Sequence, residues 1–163
     1  MSRLIALAVL VWSTCPVAGW QGPAAKPNFS GSWQIDAAKS KPEIKDDLVW
    51  KIDHKDGTIA IDETAVGKSL CNAKCSIGKP CDFEAHGKKM TAMTYFLDTT
   101  LVQMRSASDN SSVVKWQIKM DPDGSMKVEQ ITIVPADKSE LLVFRKKGDA
   151  GAKPVVVSEA QKR

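Results

Sequence analysis

Three cysteines and a histidine fall within one short stretch: Cys71, Cys75, Cys81 and His86. Thiolate and imidazole suit zinc or copper(I), so a Cys₃His metal site is one chemistry open to this cluster. The spacing lacks the tight Cys-x-x-Cys knuckle of structural zinc sites. The simpler reading is a disulfide, Cys75–Cys81 or Cys71–Cys81. The segment carries the turn formers Asn72, Gly78 and Pro80 and few apolar residues to hold it. A bridge there would stabilise the fold by about 2–4 kcal/mol. The third thiol is then left over, for redox exchange or an intermolecular bond.

The rest of the chain offers no acid, base and nucleophile set. His54 is the only other histidine, and it ends an alternating segment beside a turn, where a surface residue is expected. Asp46-Asp47, Asp62-Glu63 and Asp121-x-Asp123 fall at strand ends, where carboxylates are solvated or cap turns. Asp121-Pro-Asp-Gly lacks the twelve-residue loop and closing Glu of a calcium hand. No phosphate-cradling glycine loop or dinucleotide fingerprint is present. The sequence therefore predicts a non-enzyme with no cofactor. Its aromatic and methionine residues are the other candidates. Trp50, Tyr95, Trp116, Met120 and Met126 fall on apolar faces, where they either pack a core or line a cavity for a small apolar guest.

The elements that must position these residues are strands. Leu48, Trp50 and Ile52 alternate with polar positions, as do Ile59 and Ile61, with Asp56-Gly57 between them as a hairpin signal. Val114, Trp116, Ile118 and Met120 alternate with Lys115, Gln117 and Lys119. Asp121-Pro-Asp-Gly makes the next turn. Met126 and Val128 follow, then Ile131 and Ile133 on the other parity, which predicts a bulge near Glu129-Gln130. Met90–Leu97 is apolar on both parities and predicts a strand covered on both faces. Leu101–Met104 and Leu141–Phe144 complete the set. Ala37–Lys41 is the one candidate helical turn. Eight to ten short strands joined by tight turns give an all-β antiparallel meander. Such a meander must hide its edges, most simply by closing into an up-and-down barrel, alternatively by stacking as a β-sandwich.

Length and composition set the frame. The chain has 163 residues, 43% hydrophobic and 26% charged, which is one globular domain. A net charge of +4, mixed in sign, argues against nucleic-acid binding. Arg3, the apolar run Leu4–Trp12, and small residues at Val17, Ala18 and Gly19 have the layout of a secretory signal peptide. Cleavage after Gly19 or Ala18 would remove Arg3 and Cys15 and leave no membrane span. The expected organisation is a signal peptide at 1–19, a Pro/Ala linker at 20–28, a β-barrel domain at 29–146 and a disordered tail at 147–163. An exported protein, periplasmic or secreted, meets conditions that permit disulfides.

Asn28-Phe29-Ser30-Gly31-Ser32-Trp33-Gln34-Ile35-Asp36 places Gly31-x-Trp33 just after this leader and linker. It resembles the first-strand signature of lipocalin-like barrels. The stretch Phe29–Asp36 with Ala38–Ser40 is similar to the FSGTWKLD…AKS opening of a group of secreted bacterial lipocalin-like proteins. The resemblance implies that Trp33 plugs the closed end of a barrel and that Gly31 lets the chain bend close. The leading functional expectation is an exported, monomeric, lipocalin-like barrel that binds a small apolar molecule. A metal or thiol-redox protein built on Cys71, Cys75, Cys81 and His86, and an interaction module of the cell envelope, are the alternative functions.

Overall fold

The computed structural model describes residues 25–43, 47–135 and 137–148. The expected signal peptide, the first part of the linker and nearly all of the tail lie outside the described residues. The described chain forms ten strands: β1 (Gly31–Ile35), β2 (Leu48–Lys55), β3 (Thr58–Ala65), β4 (Lys68–Ser76), β5 (Pro80–Ala85), β6 (Lys88–Leu97), β7 (Thr100–Ala107), β8 (Val113–Met120), β9 (Met126–Val134) and β10 (Lys138–Lys146). Each pairs antiparallel with the next, and β1 pairs with β10, so the meander closes into a barrel. The sandwich alternative is thereby set aside. Closure is the physical answer to ten strands in sequence, because it leaves no unpaired edge. Among the described residues no helix is long and apolar enough to cross a membrane.

Turn chemistry fixes the register. Asp56 and Gly57 both take positive φ, 51° and 71°, the primed turn that Asp-Gly predicts between β2 and β3. Lys55 is then opposite Thr58, and the pairing runs unbroken to Leu48 and Ala65. Gly31, with φ 144°, sits where a Cβ would come within 3.0 Å of the Lys146 side chain on β10. A larger residue there would have to displace the end of the Lys146 side chain and take a φ that favours glycine. The Ala37–Lys41 segment makes a single turn that does not continue into a helix: Ser40 N–H donates to Asp36 O, four residues back, at 3.0 Å, and Ser40 Oγ accepts from Val143 N–H at 3.0 Å.

Two local expectations are corrected. The bulge involving β9 lies opposite Val113/Val114, where Val113 faces Val134 and Val114 faces Thr132; Glu129 and Gln130 stay in register with both neighbours. Parity therefore does not switch there. Gln130 pairs with inward Trp116, and Ile131 lies on the outer face opposite Lys115. Met90–Leu97 is not covered on both faces either. Ala92 and Thr94 are buried, while Met93, Tyr95 and Leu97 face solvent, because the outside of this wall carries no second layer.

The core is lopsided. Phe29, Trp33, Trp50, Ile59, Ile61, Ile118, Met126 and Phe144 are fully or almost fully buried in one cluster, contributed by β1–β3, β8–β10 and the segment before β1. A smaller cluster on the opposite wall holds Cys71, Ala73 and Ala85, with Phe83 and Met90 packed against it. Ala92 and Ala107 are also buried on that side. One wall is thus built of large side chains and the other of small ones.

Candidate ligand site in the barrel interior

Strand alternation directs the polar residues of β3, β6 and β7 inward. Glu63 continues the buried parity of Ile59 and Ile61, and Gln103 and Arg105 continue that of Leu101. Arg105 Nη1 donates to Glu63 Oε1 at 2.7 Å, with the two side chains only 6% and 7% exposed. Arg105 Nε donates to Gln103 Oε1 at 2.6 Å, and Gln103 Nε2 donates to Thr94 Oγ1 at 2.8 Å. The guanidinium lies over the Trp116 ring, 3.4 Å from its centre, and 5.2 Å from that of Phe83. Cation–π contact of this kind strengthens when water is excluded. Trp116 Nε1 donates to Gln130 Oε1 at 3.0 Å, and Gln130 Nε2 to Glu140 Oε2 at 3.1 Å. Two hydrogen-bonded sets thus cross the interior as one polar band, joined where the Arg105 guanidinium lies over the Trp116 ring.

Two donors in this region have no partner: Arg105 Nη2 and Trp50 Nε1, both buried. Trp50 stacks on Trp116 with ring centres 4.7 Å apart and meets Phe144 at a tilt, 4.6 Å between centres. A buried donor left unpaired costs about 1–3 kcal/mol, so each of the two is open to an acceptor. A depression between β5 and β6 is lined by Asp82, Phe83, Glu84, Lys89, Met90 and Ser108. Phe83 and Met90 face each other across β5 and β6, and behind them lie the small residues Cys71, Ala73 and Ala85.

The expected cavity residues divide. Trp50, Trp116 and Met126 are buried, and Met120 packs against the same cluster from a partly buried position. Tyr95 does not join them. It is 38% exposed on the outer face of β6, because inward parity there belongs to Ala92 and Thr94. Trp33 is buried within β1, and its Nε1 donates to Phe29 O at 2.8 Å. His54 is less exposed than expected of a surface residue: its ring stacks on Phe29 and Phe96, and burial lowers its pKa.

The cysteine cluster resolves into a bridge and a thiol. Cys75 and Cys81 form a disulfide with Cα atoms 5.3 Å apart. Cys71 is free and buried. His86 is exposed in the β5–β6 turn, with φ 51°. With two thiols consumed and the imidazole turned to solvent, these four residues do not assemble a metal site. Among the described residues no other group of three or more His, Cys, Asp or Glu side chains does so. Burial, with the adjacent Glu63 carboxylate adding to it, pushes the Cys71 thiol up to about 12, and Arg105 acts in the opposite direction.

Sequence reasoning missed Glu63 and Arg105. Glu63 was expected to be a solvated strand-end carboxylate, yet the parity of Ile59 and Ile61 already pointed it inward. Arg105 was hidden because Val102 and Met104 make the opposite parity of β7 equally apolar.

The fold and site together define a class: a closed, ten-stranded, up-and-down barrel with an internal polar band. Among solved structures the chain is similar to "REP1-NXSQ fatty acid transporter", with a TM-score of 0.59 and 13% identity over 72% of this chain and 95% of that one. It is likewise similar to fatty-acid-binding protein 1 of Echinococcus granulosus, with a TM-score of 0.58 and 10% identity over 72% of this chain and 96% of that one. Compared with protein-family models and with curated protein sequences, the chain gives no match.

Proposed function

We propose that this protein is an exported, monomeric, non-catalytic carrier that holds one small, mainly apolar molecule inside its barrel. The observation that carries the reading is the pair of unpaired buried donors, Arg105 Nη2 and Trp50 Nε1, among interior polar groups that are otherwise paired. A guest with a hydrogen-bond acceptor satisfies what the protein leaves open. Its apolar body would lie along the small-residue wall of Cys71, Ala73, Ala85, Ala92 and Ala107 once Phe83 and Met90 swing aside. Barrel diameter grows with strand number, so ten strands enclose more space than the eight that side chains alone can fill. The neighbours' names, a fatty acid transporter and a fatty-acid-binding protein, support an apolar guest. Export, to the periplasm or the medium, rests on the leader and on the likeness of Phe29–Asp36 to secreted bacterial lipocalin-like proteins.

Trp50 and Trp116 supply the readout. Titration with fatty acids, retinoids and haem, followed by intrinsic tryptophan fluorescence, is expected to give saturable quenching by at least one class. Native mass spectrometry of the purified protein is expected to show a bound small molecule. Flat titrations together with a ligand-free mass would overturn the proposal.

A further inference from the structure

The interior contains a guanidinium, and its charge is already cancelled. Glu63 Oε1 lies 2.7 Å from Arg105 Nη1, and both side chains are more than nine-tenths buried. Gln103 takes the Nε hydrogen, so Nη2 is the one guanidinium nitrogen with no partner of its own. From this we infer that the barrel selects guests whose acceptor is neutral, such as the carbonyl of an ester, ketone or amide, over free carboxylates, and that Glu63 sets the selection. The inference rests on the internal-binding proposal and narrows it.

The physical reason is charge balance. A fatty carboxylate bound at Nη2 would place a second anion beside Glu63 with one cation to share. Repulsion between two carboxylates is strong in a water-poor interior. A neutral carbonyl accepts the same hydrogen bond without adding charge. Trp50 N–H, also unpaired, donates equally well to a carbonyl oxygen. No other cationic side chain is buried among the described residues to compensate a second anion.

The test compares methyl decanoate with decanoate at neutral pH, by tryptophan fluorescence and calorimetry, in the wild type and in Glu63→Gln. The wild type is expected to bind the ester at least about tenfold more tightly. In Glu63→Gln the preference is expected to shift toward decanoate by about tenfold or more, because Arg105 then has no anion of its own. Glu63→Ala serves as a second variant where Gln does not fold. Decanoate binding as tightly as the ester to the wild type, or an unchanged ratio in a folded variant, would overturn the inference while leaving internal binding intact. Binding of neither probe counts against both.

Discussion

At the scale of single residues, the barrel interior is organised by what alternation forces inward. Glu63 and Arg105 are buried because their neighbours at i−2 and i−4 are core residues, and a strand has no means of turning one side chain out alone. Having been buried, they pair, since an isolated charge there would cost several kcal/mol. Cys71 shares this setting, directly across from Glu63 in the β3–β4 register. Its thiol is held neutral, with its pKa raised from 9.0 to about 12. A raised pKa means the folded state holds the proton more tightly. The resulting contribution to stability is complete below pH 9 and is lost as pH rises from there toward 12. In a Cys15→Ser background, Cys71 is expected to stay unreactive toward a thiol reagent at pH 8 until the protein is unfolded. The loss of stability at alkaline pH should be smaller in Cys71→Ala than in its parent. Rapid labelling of the native protein would contradict this.

At the scale of elements, the β4–β5 hairpin is the wall's special case. Ladder pairing between these strands is confined to Cys71 with Ala85 and Asn72 with Glu84. Continuing that register places Cys75 opposite Cys81, where the disulfide joins the strands. A covalent bond thus takes over where the hydrogen-bonded ladder stops. It closes a loop of few residues, for which chain entropy gives about 2 kcal/mol. The double substitution Cys75→Ala/Cys81→Ala should lower the unfolding free energy by about that amount in urea titrations. Amide exchange should quicken between residues 73 and 83 while β8–β10 stay protected. An unchanged midpoint would show that the hairpin holds without its bridge. The cysteine pair was legible from the turn-rich segment, but spacing left Cys71 and Cys75 as equal partners for Cys81. Only opposition across the hairpin chose between them.

At the scale of the whole molecule, stability depends on closure. Trp33 lies opposite both Trp50 on β2 and Lys146 on β10, so this buried residue belongs to the strand on which the barrel closes. Trp33→Ala is expected to cost about 3–5 kcal/mol, a large share of the 5–15 typical of a domain. Near- and far-UV circular dichroism should still report one coincident transition, because the strands share a single interior. Two separated transitions would mean that the walls fold as independent units. The sequence by itself determined the strands, most of their turns and the all-β class, because period-two alternation and Asp-Gly turns are local signals. It also determined that Trp50, Trp116 and Met126 belong to the apolar face. What only the tertiary structure decided is the meeting of distant strands: β1 with β10, Glu63 with Arg105, and Trp50 with Trp116. Tyr95 was turned outward for the same reason. Where both parities of a strand are apolar, alternation cannot say which face is inside, and that choice falls to the neighbours the closed barrel supplies.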